Sequence, residues 1–167
     1  MRTAGAILIF AFFTLAGFMR AGRERDKLLE CEAFLSLFEY VKGQIDYFLT
    51  PTKLIYRNFS NDVLEKRGFL PLLRSHENDV VYCDIWRTSF EKTKKNFNFS
   101  RAQSELILGF GESIGKYNAA LQSSSFNYYI ERMEKETESQ RAECKKNMKL
   151  YRTLGLAAGA LAAILLI

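Results

Sequence analysis

Residues 3–19 read TAGAILIFAFFTLAGFM, seventeen positions without a charge, with Arg2 before them and Arg20 after. At about 1.5 Å per residue, a helix of that length reaches about 25 Å, close to the ~30 Å apolar core of a bilayer. The arginine stems at both ends can snorkel to the headgroups. A cleaved leader has a similar length, but it wants a small residue at the cleavage position, and Ala16-Gly17-Phe18 puts a phenylalanine there. The run reads as an uncleaved membrane anchor. Residues 153–167, TLGLAAGALAAILLI, form a second uncharged run. A terminal segment with no polar face has nothing to present to water, and Tyr151 and Arg152 before it suit the interface, so it reads as a short tail anchor.

Between the anchors lies one domain's worth of chain, residues 24–151. The whole sequence has 167 residues, 48% of them apolar and 14% aromatic, too rich for disorder. Three Cys without a CxxC pair and a single His exclude a disulfide scaffold and a zinc module. The formal net charge is +5, yet residues 24–152 hold 21 basic against 19 acidic side chains, which is no electrostatic footprint for nucleic acid. The excess sits at the anchors. Arg20, Arg23, Arg25 and Lys27 follow the first, and Lys145, Lys146, Lys149 and Arg152 precede the second. Both clusters face the central domain, so the positive-inside rule places that domain in the cytosol. The cysteines are then expected to stay reduced, and the sequons at Asn58 and Asn98 to go unused.

The body reads as helix throughout. From Leu28 the apolar positions Cys31, Leu35, Phe38, Ile45 and Leu49 recur at threes, fours and their sum, widened by Phe34, Leu37, Val41 and Phe48. No proline interrupts residues 1–50, so the first anchor is expected to continue into this helix, with Gly22 as the bend. Thr50-Pro51 opens a short helix to about Asn58, and Ser60-Asn61-Asp62 opens another ending near Gly68. Pro71 begins a short turn-and-helix through Leu73. Asn78 or Asp79 caps a helix carrying Tyr82, Ile85, Trp86, Phe90 and Phe97. Ser100-Arg101-Ala102-Gln103 matches a capping box ahead of Leu106, Ile107, Phe110 and Ile114. The last helix starts at about residue 118 and meets no Pro or Gly before Gly155. Its charged stretch, residues 131–149, carries a thin stripe at Ile130, Met133, Cys144 and Met148. A solvated stalk is the favoured reading, and a coiled-coil seam with a partner, such as a second copy of the chain, is the other. The fold class is all-α, a bundle of about six helices bracketed by two transmembrane helices.

Catalysis is hard to build from these residues. His76 lies in a polar loop sequence, and Cys31, Cys83 and Cys144 sit in helical patterns as packing residues. No catalytic residue, cofactor site or metal site is expected. The one local oddity is Gly109-Phe110-Gly111-Glu112-Ser113-Ile114-Gly115. A phosphate cradle needs a preceding strand, whereas here a capped helix leads in. Glycine inside a helix costs about 1 kcal/mol against alanine, so a compensating reason is expected. Gly111 and Gly115, four apart, are expected to mark a close helix contact, or with Phe110 and Glu112 a docking surface for a partner. Gly155 and Gly159 repeat the spacing in the second anchor, where small residues favour helix packing.

The layout as a whole resembles the stage III sporulation protein AB family. The likeness is carried by the anchor, the helical body, Phe110-Gly111-Glu112-Ser113-Ile114-Gly115, the long charged helix and the run Leu154-Gly155-Leu156-Ala157-Ala158-Gly159. The resemblance implies a non-enzymatic protein of the mother-cell membrane, facing the forespore and belonging to the channel complex between the two compartments. That family is in turn similar to the platform proteins of type II secretion and type IV pilus systems. By that analogy the partners are membrane lipid, other proteins of the channel complex, and a cytosolic secretion-type ATPase. From a different class comes a two-span sensor or membrane adaptor, which the basic flanks oppose because a sensing bundle belongs outside.

Overall fold

The computed structural model describes residues 2–46, 52–75, 82–116 and 119–166. Seven α-helices and one 3-10 turn make up its regular structure, with no strand among the described residues. They are α1 (Arg2–Asp46), α2 (Thr52–Asn58), α3 (Asp62–Lys66), α4 (Phe69–Ser75), α5 (Tyr82–Thr93), the 3-10 turn Lys94–Asn96, α6 (Arg101–Ser113) and α7 (Ala119–Leu166). The all-α architecture is as the periodicity requires. The two apolar runs are not separate elements. Each is one end of a continuous helix, 45 residues in α1 and 48 in α7. Neither helix contains a proline, and α1 continues through Gly22.

Two compact units divide the chain: residues 29–138 form one, and residues 1–28 with 139–167 form the other. The first is a bundle whose core is aromatic. Phe34 and Phe38 of α1, Phe69 of α4, Trp86 and Phe90 of α5, Phe110 of α6 and Phe126 of α7 are all fully buried. The Phe34 ring meets those of Phe38, Phe69, Phe90, Phe97 and Phe99 at centroid distances of 5.0 to 6.4 Å. Aromatic pairs at such offsets add to the stabilisation from area burial alone.

Local chemistry sets the helix ends. Asn61 accepts from the N–H groups of Val63 and Leu64 at 3.0 and 3.2 Å and caps α3. Gly68 ends that helix at φ +85°, a region favoured by glycine, and its carbonyl opens the next. There the structure departs from the sequence reading: α4 begins at Phe69, two residues before Pro71. In a first turn the missing proline N–H would have had no helical partner, so Pro71 is accommodated. Ser100 and Gln103 make both bonds of the capping box at the start of α6. The sequence expectations that rest on Thr50, Pro51, Asn78, Asp79 and Asn118 lie outside the described residues.

The charged stretch of α7 is not a stalk solvated on every side, and the favoured reading of it is corrected. Met133 is fully buried in the bundle and Thr137 nearly so, while Cys144 is buried in the other unit. Thr137, Cys144 and the half-buried Tyr151 follow one another in heptad steps, a narrow seam that a count of charges hides. The seam is occupied from within the chain. In the bundle, Ser123 of α7 donates to Asp46 of α1 at 2.9 Å.

The second unit pairs the outer ends of α1 and α7. Small residues line the contact: a Cβ on Gly17 would lie 2.7 Å from the Tyr151 carbonyl oxygen, and one on Gly155 would lie 2.9 Å from that of Phe13. The large apolar side chains point away from it, among them Leu8, Phe12, Leu161 and Leu165 at 64–87% exposure. Two helices are long and apolar enough to cross a membrane, and this arrangement suits an apolar surrounding rather than water.

Candidate functional site

The segment from Phe110 to Gly115 divides between inside and outside. Phe110 stacks on Phe38 at 3.9 Å with the rings 2° from parallel, and lies 5.0 Å from Phe126. Gly111 is where Trp86 passes, since a Cβ there would lie 2.0 Å from the indole. The Trp86 Nε1–H donates to the Ile107 carbonyl at 2.9 Å, which satisfies the buried indole and fixes its plane against α6. Gly109 gives similar room to Tyr129, whose ring would be 2.7 Å from an added Cβ. Glu112 faces outward and pairs with Arg87 of α5. Ser113 is buried and donates to the Phe110 carbonyl at 2.6 Å.

Gly115 corrects the reading of a two-glycine face. It lies past the end of α6 at φ +74°, exposed, with nothing within 4 Å of an added Cβ. Its glycine answers a backbone conformation and not a close approach. The spacing of four misled because the helix ends at Ser113.

In the paired-helix unit, Gly155 and Gly159 of α7 both face α1. A Cβ on Gly159 would lie 3.0 Å from the Phe10 ring. Pairing also gathers both basic clusters into one unit. Arg20, Arg23, Arg25, Lys145, Lys146, Lys149 and Arg152 are exposed, and Lys27 is half-buried. Arg20 lies over the Tyr151 ring at 5.9 Å, and Arg152 over Phe18 at 5.4 Å. Glu24 is turned inward at 7% exposure, accepting from Lys27 at 2.8 Å and from Asn147 at 3.1 Å. Burial disfavours its charge, but those donors with Lys27 and Arg20 outweigh burial and hold the carboxyl below its ordinary value.

Sequence reasoning missed Glu30. It lies on the bundle's part of α1, its side chain 1% exposed, ion-paired with Arg67 at 2.6 Å. It also accepts from the Asn98 backbone N–H at 2.7 Å, so it ties the loop ahead of α6 to α1. Burial raises its carboxyl, with Asn98 and Arg67 opposing. Its signal was a glutamate beside Cys31 inside the apolar stripe, masked by the many exposed carboxylates around it. Gly17 was also missed, although Ala21 four residues on gives the same small-residue spacing seen in α7.

Burial, then Glu30, Glu136 and Glu32, push the Cys31 thiol up to about 12, so it is a packing group and no nucleophile. Cys144 is buried with its sulfur 3.5 Å from that of Met148. Among the described residues, no three His, Cys, Asp or Glu side chains converge on a metal position. His76 and the Cys83 side chain lie outside the described residues. Of the known families, the model described as stage III sporulation protein AB matches residues 2–167. No curated protein and no solved structure matches the chain.

Proposed function

The chain belongs to the stage III sporulation protein AB family, and from that premise we propose that it is a non-enzymatic membrane platform of the mother cell. Both apolar helix ends anchor it, the bundle faces the cytosol, and the bundle docks a secretion-type ATPase of the channel that connects mother cell and forespore. The observation that carries this reading is the placement of one bundle, in chain order, between two helices apolar enough to span a membrane. The basic flanks favour the cytosolic orientation.

A platform needs its orientation fixed, and anchorage at both chain ends restricts rotation more than anchorage at one. The test compares the intact protein with a form truncated after Arg152, at equal levels in a sporulating host. The platform reading expects the truncated form to fail in spore formation while its bundle still folds. Full spore formation by the truncated form would replace the platform with a singly tethered adaptor. Co-purification of the ATPase with the intact protein tests the docking step separately.

A further inference from the structure

Eight cations stand against two carboxylates in residues 20–27 and 145–152, the two stretches that border the apolar ends of α1 and α7. The sequence separates these stretches by more than a hundred positions. Helix pairing brings them into one unit, through Arg20 over Tyr151, Arg152 over Phe18 and Asn147 on Glu24. Of the two carboxylates, Glu24 is buried and already accepts from Lys27 and Asn147. That leaves Asp26 as the one exposed acid among Arg20, Arg23, Arg25, Lys145, Lys146, Lys149 and Arg152. The exposed apolar band that includes Phe12, Leu15, Phe18, Leu154 and Leu156 begins where this positive zone stops.

We propose that this two-helix collar is a recognition surface for anionic phospholipid headgroups at the face of the bilayer from which the apolar ends enter. The inference rests on the membrane-spanning reading and goes beyond topology, because it names the lipid that the protein gathers around itself. Phosphate diesters with a net negative charge match the collar in two respects. The guanidinium groups offer forked donors to phosphate oxygens, and the apolar band beside them receives the acyl chains. A zwitterionic lipid presents the same phosphate with its charge already cancelled. Inward pairing of Glu24 keeps the zone positive while satisfying the one buried carboxylate in it.

The test uses the full chain in phosphatidylcholine vesicles with a trace of spin-labelled phosphatidylglycerol or spin-labelled phosphatidylcholine. Electron spin resonance reads the fraction of each label held motionally restricted against the protein. The expected preference for phosphatidylglycerol is roughly five-fold, equivalent to one cation engaging the anionic surface, and it falls toward one in high salt. In the variant with Arg23→Gln, Arg25→Gln, Lys145→Gln, Lys146→Gln and Lys149→Gln, which leaves both cation–ring contacts in place, the preference is also expected to fall toward one. Equal restricted fractions in the wild type overturn the lipid preference while leaving the membrane reading intact. A preference that survives in the variant overturns the collar as its source. No restricted fraction for either label overturns the membrane reading itself.

Discussion

Gly43 and Gly111 are both helical glycines of the bundle, and their surroundings give them opposite stability effects. Nothing lies within 4 Å of a Cβ on Gly43, whereas one on Gly111 would collide with the Trp86 ring. Gly43→Ala is expected to raise stability by about 0.5–1 kcal/mol, because it reduces the freedom of the unfolded chain at no steric cost. Gly111→Ala is expected to lower it by about 1–3 kcal/mol, the usual cost of overpacking. Urea unfolding of the full chain in detergent measures both, and a neutral Gly111→Ala would show that Trp86 yields easily. Glu30 supplies a pH signature at the same scale. Burial raises its carboxyl above the ordinary 4.5, so the folded protein keeps that proton to higher pH than the unfolded chain does. Its contribution is therefore full below the unfolded value and lost as pH rises through the folded value. Relative to Glu30→Gln, the wild type is expected to lose stability with rising pH from about 4.5 upward. An opposite slope in paired unfolding curves would mean that Arg67 and Asn98 outweigh burial.

At the scale of elements, the helices with local start and stop signals were legible and those without were not. Ser100 and Gln103 announced α6 and Ser60-Asn61-Asp62 announced α3, and the structure shows the capping box of the first and picks Asn61 as the cap of the second. Ser100→Ala removes the acceptor of the Gln103 N–H and is expected to cost about 1 kcal/mol. The check is a lowered unfolding midpoint that Ser100→Asp, which restores an acceptor, recovers. The start of α4 was hidden because Pro71 reads as a beginning when it is the third residue of the helix. The seam of α7 was hidden for another reason. One narrow stripe among lysines and glutamates resembles a solvated helix until its partner is known, and Met133 and Thr137 find theirs inside the chain. The candidate site was partly readable for the same reason. Composition pointed to the glycines around Phe110, but only the end of α6 at Ser113 separates Gly111, which makes room for Trp86, from Gly115, which turns the backbone.

For the whole molecule, the close approach of α1 and α7 at Gly17 and Gly155 is the contact most exposed to disruption. Gly155→Leu drives a side chain into the Phe13 carbonyl, whereas Gly5→Leu enters open space. Gly155→Leu is expected to lower the thermal unfolding midpoint in detergent and Gly5→Leu to leave it nearly unchanged, and equal effects would argue that the helices do not pack there. That contact also has a history in time. Glu24 and Asn147 are 123 positions apart, and Gly17 waits still longer for Gly155. The paired-helix unit thus holds contacts of very long sequence separation, and all 110 residues of the bundle are synthesised before the outer end of α7. The outer end of α1 is therefore made long before the outer end of α7. During that interval the notch at Gly17 lacks the Tyr151 and Gly155 backbone that fills it in the finished fold.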